Sequence, residues 1–258
     1  MGKVMAVVNQ KGGVGKTTTT VNLGACLALL GQRVLVIDID PQGNATSGLG
    51  IDKESVEQCI YDVLIEDLDL ERVILATEIE DLFLVPSAIR LAGAEIELVP
   101  AISREMKLKR ALEKVRAEYD FVLIDSPPSL GLLTINALTA ADSVLVPIQC
   151  EYYALEGLSQ LMNSIRLVQK HLNPDLKLEG VLLTMFDART NLAIQVVEEV
   201  KGFFRDKVYC TIIPRNVRLS EAPSHGKPVI LYDPKCRGAE VYQDLAEEVM
   251  ADDEEEEY

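Results

Sequence analysis

Lys11-Gly12-Gly13-Val14-Gly15-Lys16-Thr17-Thr18 is the densest chemical signal in the chain, with three glycines in four residues, a lysine on either side and two hydroxyls directly after. Glycine reaches φ angles closed to other residues, so consecutive backbone N–H groups could curl around phosphate oxygens where a helix begins. Lys16 is then placed to reach β- and γ-phosphates, and the Thr17 hydroxyl to ligate Mg²⁺. The alternative is a plain Gly-rich turn between strand and helix, which does not call for Lys and Thr in that order. Three aspartates could complete such a site. Asp38 and Asp40 follow the apolar run 34–37 and, by strand alternation, share one side, where both could address Mg²⁺ and its waters. Asp125 follows Phe121-Val122-Leu123-Ile124 and precedes Ser126-Pro127-Pro128, which suits a carboxylate holding Mg²⁺ through water beside a stiff loop that senses the γ-phosphate. Taken alone, each acid is as readily a turn or cap residue. Beside a phosphate loop they become ligand candidates, and Asp40 the candidate for positioning a hydrolytic water.

A parallel sheet would bring these groups together. The runs 4–8, 34–37, 82–85, 121–124, 144–148, 181–185 and 208–213 are nearly continuous Val, Ile and Leu, as strands covered on both faces should be. Between them 16–30, 103–119, 155–171 and 192–204 carry apolar residues at helical spacing. This alternation predicts an α/β fold, a doubly wound, mostly parallel β-sheet flanked by helices, with seven strands. In such sheets ligand-handling groups sit at the carboxyl ends of the strands, where all three aspartates fall. Residues 43–52 read as a Gly-rich loop leaving the sheet edge. No repeat or Gly/Ser linker divides the chain, so residues 1–250 are expected to form one domain. Residues 251–258, which include six consecutive acids, are expected to be a solvated, disordered tail that serves solubility.

Composition narrows the function classes. The chain has 258 residues, 48% hydrophobic and 26% charged, which suits a folded domain with a substantial core. Its net charge of -16 speaks against a uniformly basic nucleic-acid coat, so any polyanion must meet a local patch. No apolar run approaches the roughly 18 residues of a membrane span, and 4–8 is stopped by Asn9, Gln10 and Lys11, so no signal peptide is expected. The five cysteines form no C-x-x-C pair and are odd in number, unlike a disulfide framework or a zinc site, and fit a reducing cytoplasm.

The ordinary pattern G-x-x-x-x-G-K-[ST] would begin at position 10, where the chain has Gln, and Lys11 opens the loop instead. On position alone Lys11 is equally a solvated surface lysine. The departure resembles the deviant Walker A motif, K-G-G-x-G-K-[ST], of the ParA/MinD group of P-loop ATPases. Asp38-Ile39-Asp40-Pro41-Gln42-Gly43-Asn44, Asp125-Ser126-Pro127-Pro128, Glu151-Tyr152-Tyr153-Ala154-Leu155-Glu156-Gly157 and Pro214-Arg215-Asn216-Val217-Arg218-Leu219-Ser220-Glu221-Ala222-Pro223 follow in order. Together they resemble the ParA family, most closely its Soj-type chromosome-partitioning ATPases, over nearly the whole chain. The resemblance implies the P-loop NTPase fold and slow ATP hydrolysis with ATP and Mg²⁺ as cofactors. It also implies an ATP-sandwich homodimer, sequence-blind binding to double-stranded DNA, and release by a ParB-like centromere-binding partner. By the same resemblance Gly12, Gly13, Val14, Gly15, Lys16, Thr17 and Thr18 hold phosphates and Mg²⁺, Lys11 acts across the dimer interface, and Asp40 positions water. Pro214 and Asn216 lie beside adenine, and Arg189 and Arg218 contact DNA. A cytoplasmic, nucleoid-associated protein is implied.

Charge distribution is compatible with a local DNA surface. Residues 185–240 hold nine Lys/Arg against seven Asp/Glu, leaving 16 against 34 elsewhere, and a dimer could join two modest patches into one track for phosphates. From sequence alone Arg189 and Arg218 are also ordinary surface arginines. Neither a helix-turn-helix nor an aromatic stacking surface is evident, so base-specific reading is not expected. The strongly acidic end of the chain is unlike the basic amphipathic membrane helix of MinD-like ATPases, and the cysteine spacing is unlike that of iron–sulfur carriers. A MinD-like or cargo-positioning ATPase, or a small-molecule ligase on the same fold, remains as the competing class.

Overall fold

The computed structural model describes residues 2–151 and 158–256, without the side chains of 252–256. Residues 152–157, which carry most of the Glu151 to Gly157 motif and the expected helix start at Leu155, lie outside the described residues.

Among the described residues the sheet has eight strands: β1 (Lys3–Val7), β2 (Val34–Asp38), β3 (Leu75–Ala76), β4 (Leu82–Val85), β5 (Phe121–Asp125), β6 (Ser143–Gln149), β7 (Lys177–Phe186) and β8 (Val208–Pro214). Their order is β3-β4-β2-β5-β1-β6-β7-β8, and every pairing is parallel except β3 with β4. The seven expected strands are present. The eighth, β3, has two residues and pairs antiparallel at the edge, too short to leave an alternation in the sequence.

Alternation along each strand divides the core in two. Val4, Ala6, Leu35, Ile37, Val122 and Ile124 pack on one face, and Met5, Val7, Val34, Val36, Phe121 and Leu123 on the other, all buried. Both faces therefore need helices, and this is why the strands read as unbroken apolar runs. Helix Lys16–Leu29 covers the second face, and the Thr19 hydroxyl lies 3.2 Å from that of Tyr242 on the last helix, Arg237–Glu256.

Three local expectations are corrected. The span 103–119 is not one helix but a 3₁₀ turn (Arg104–Met106), a short helix (Lys107–Leu112) and a second 3₁₀ turn (Arg116–Glu118). Ser103 sits at φ +52°, and the Asn136 side chain caps the short helix, accepting from Leu108 N at 3.2 Å and donating to Arg104 O at 2.9 Å. The helix that supplies Asn136, Leu132–Ala140, has buried residues on nearly every side, so no polar stripe marks it in the sequence. Within 43–52 the chain forms a short helix, Asn44–Gly48, rather than only a loop. Finally, Arg237–Glu256 continues through most of the acidic run expected to be disordered, in keeping with the good helix propensity of Glu. Its buried Ala239, Tyr242, Leu245, Ala246 and Val249 recur at helical spacing, a signal that was legible.

Candidate active site

Register builds the site. Val7 and Asp38 both pair with Asp125, so β1, β5 and β2 end level with one another, and the chain leaving β1 enters the glycine loop directly above two carboxylates. Gly13 and Gly15 take φ of +73° and +92°, left-handed values that turn the loop into helix Lys16–Leu29. Thr184 at the end of β7 donates its hydroxyl to Val14 O at 2.8 Å, and Asn9 donates to Pro147 O at 2.7 Å, so both limbs of the loop are tied to the sheet. Lys11 is half-buried and its backbone N–H donates to Asn9 Oδ1 at 3.0 Å.

Lys16 is 6% exposed and its ammonium donates back to Lys11 O at 3.2 Å, across the mouth of the loop. Burial holds its pKa below the ordinary lysine value, opposed by Asp125 and Asp40. The Thr17 hydroxyl donates to Asp125 Oδ2 at 2.8 Å, and the Thr20 hydroxyl lies 3.3 Å from Asp125 Oδ1. Asp125 is fully buried. Burial, then the neighbouring Asp38, push its pKa well above the usual carboxylate range.

Asp38 is tied to the loop that follows β2: its Oδ2 accepts from Thr46 N at 2.8 Å and from the Thr46 hydroxyl at 2.7 Å, and its Oδ1 from Asp40 N at 3.1 Å. Asp40 is 7% exposed and near enough to Lys16 to oppose the lowering of that group's pKa; its Oδ1 accepts from Gln42 N at 2.9 Å. Ser87, just beyond β4, donates its hydroxyl to Asp40 O at 2.7 Å. Sequence reasoning missed Thr46, Ser87 and Thr184, since a lone hydroxyl carries no spacing signal.

The donor set fits a nucleotide and a divalent cation. Two adjacent buried carboxylates, a threonine hydroxyl and a lysine ammonium surround the loop mouth, an arrangement that an ion with phosphate oxygens would relieve. Among the described residues there is no cluster of three or more His, Cys, Asp or Glu that could hold a metal ion. A cavity of about 420 Å³ runs from Gly15 and Thr18 to Pro214, Asn216 and Tyr242, bringing the two expected adenine-side residues to the phosphate loop. The Asn216 side-chain oxygen accepts from Arg218 N at 2.8 Å as a helix cap, leaving its amide N–H groups for a ligand.

The expected DNA arginines lie at the ends of the adjacent strands β7 and β8, which Arg215 N joins by donating to Phe186 O at 3.0 Å. Each is paired with acids. Arg189 forms a two-pronged pair with Asp187, at 2.8 and 2.7 Å, and Arg218 meets Glu221 at 2.7 Å and Asp233 at 3.2 Å. The structure brings the arginines to one edge but surrounds them with negative charge.

A family model described as "AAA domain" matches residues 2–178. The sporulation initiation inhibitor protein Soj of Bacillus subtilis is 74% identical over 251 residues, covering 97% of this chain and 99% of that protein. The chain belongs to the Soj/ParA family of P-loop ATPases. The chromosome partitioning protein ParA of Myxococcus xanthus is 57% identical, over 98% of this chain and 89% of its own length. Among solved structures, a cobyrinic acid a,c-diamide synthase of Mycobacterium smegmatis with bound ATP analogue and magnesium superposes with a TM-score of 0.85 at 41% identity, over 96% of this chain and 93% of that one. The ParA/MinD type of P-loop fold expected from the motifs is thereby the fold of this chain. Among the described residues no helix is long and apolar enough to cross a membrane.

Proposed function

We propose that this Soj/ParA ATPase works as a DNA-partitioning switch in which ATP and Mg²⁺ join two copies, the pair holds double-stranded DNA without regard to sequence, and hydrolysis prompted by a ParB-like partner releases it. ATP brings the transferable γ-phosphoryl group, and Mg²⁺ offsets charge on the phosphates. In this reading the loop amides of Gly12 to Thr18 and Lys16 hold phosphate oxygens, Thr17 ligates Mg²⁺, Asp38 addresses the ion and its waters, and Asp125 holds it through water. Asp40 orients the attacking water, Lys11 reaches the partner's nucleotide, and Pro214 and Asn216 border the base. Nucleoid association follows from DNA binding.

The convergence of Lys16, Thr17 and Asp125 at the mouth of a cavity that continues to Asn216 carries the nucleotide half of this reading. The DNA half is supported by the family and by the placing of Arg189 and Arg218 on one sheet edge, where dimerisation doubles the phosphate contacts. A relative named as a diamide synthase shares 41% identity against 74% for Soj, so partitioning is the better supported activity. The test uses the Asp40→Ala protein, expected to keep ATP, to run as a dimer on sizing with ATP and Mg²⁺, and to stay on random-sequence duplex DNA without turning over. A monomer under those conditions overturns the sandwich, and full turnover overturns the role of Asp40.

A further inference from the structure

The register of the sheet places one more group beside the reaction. β2 and β4 run parallel with Ile37 opposite Val85, so the residues at and just beyond the strand ends, 38–40 and 86–87, leave the same edge side by side. There a buried chain of hydrogen bonds crosses between them. The Ser87 hydroxyl donates to Asp40 O at 2.7 Å, Ser87 N donates to Thr46 Oγ1 at 2.9 Å, and that hydroxyl donates to Asp38 Oδ2 at 2.7 Å. Asp38 closes the circuit by accepting from Asp40 N at 3.1 Å. Ser87, Thr46 and Asp38 are each 0% exposed.

Both backbone polar groups of Asp40 are therefore fixed, its N–H by Asp38 and its carbonyl by Ser87 together with the turn bond from Gly43 N at 2.9 Å, while its carboxylate remains near Lys16. A circuit anchored on two strands holds that loop more narrowly than the loop's own turn bonds would, and water attack at phosphorus is sensitive to displacements of an ångström or less. The Ser87 hydrogen bonds go to Thr46 Oγ1 and Asp40 O rather than to the phosphate loop.

We infer that Ser87, acting with Thr46, is a positioning residue that fixes the backbone of Asp40 for hydrolysis. This rests on the proposal that Asp40 orients the water. Its signature is a fall in kcat without a loss of nucleotide binding. Ser87→Ala and Thr46→Val in the full-length protein are expected to lower the rate of phosphate release by roughly ten- to hundredfold, with KM for ATP and calorimetric binding of a non-hydrolysed ATP analogue within about twofold of the parent. Thr46→Ser, which keeps the hydroxyl, is expected to restore the rate. Thermal melting in the presence of the analogue checks folding, and Ser87→Ala stands alone as the test should Thr46→Val fail to fold. Parental turnover in a folded Ser87→Ala protein, or a fall in kcat matched by loss of analogue binding, overturns the inference. Asp40→Ala separates the two readings, because a slow Asp40→Ala with a fast Ser87→Ala removes only Ser87, whereas a fast Asp40→Ala removes the role of Asp40 itself.

Discussion

At the ends of β1, β2 and β5 the polar side chains are largely buried and bonded to one another and to neighbouring loops, whereas at the ends of β7 and β8 the arginines are largely exposed and paired with acids. The contrast shows in Lys16 and Arg189: the first is 6% exposed as a residue, the second has 87% of its side chain exposed. A buried ammonium beside two carboxylates costs desolvation before any ligand arrives, so that region is organised in advance for a charged guest. An exposed Arg189 paired with Asp187 gives little stability and little net field, and a phosphate must compete with the carboxylate for the same guanidinium. One region is preformed; the other depends on doubling and on low salt.

The largest effect expected from this contrast is that of Lys16→Ala. ATP turnover should fall by at least about 100-fold, as on removal of a preorganised charge from a transition state. The melting temperature without nucleotide should not fall, because a desolvated charge has been removed. A destabilised protein with ordinary turnover would reverse the assignment of the preformed region. Arg189→Glu with Arg218→Glu should come next. Retention on random duplex DNA should be lost at moderate salt while dimers still form on sizing with the ATP analogue. Each lost phosphate contact should also flatten the log–log salt dependence by about 0.9. Unchanged retention at low salt would take the second region out of the DNA surface.

The smallest change sharpens the comparison most. Asp187→Asn removes the carboxylate that holds Arg189, and DNA affinity is expected to rise by roughly two- to fivefold at fixed salt, read by anisotropy of a labelled duplex. Acidification should not imitate it. The Arg189 hydrogen bond holds the Asp187 pKa down to about 2, below its unfolded value, so the favourable contribution is complete above about pH 4 and is lost only as pH falls through about 2. Between pH 7 and pH 5 this pair should leave DNA binding unchanged.

What could be read in advance followed the same divide. The glycine loop, Asp125 and seven strands were legible because each is written in consecutive residues: a fixed spacing of Gly, Lys and Thr, or an apolar run that ends in an acid. Helix Leu132–Ala140 was not, because burial on nearly every side erases the polar stripe by which helices are recognised. The long helix expected at 103–119 failed because Asn136, some 30 residues away, caps its middle.

By itself, the sequence determined the chemistry at the mouth of the loop and the kind of sheet that bears it, since both rest on local preferences: backbone freedom at glycine and strand-length apolar runs. Only the tertiary structure decided the partners. That Asp38 turns to Thr46, that Ser87 holds Asp40, and that Arg189 and Arg218 meet acids at one edge depend on which strands lie side by side and where each one ends. Those are long-range contacts, set by the packing of two cores against one sheet, and no spacing along the chain encodes them.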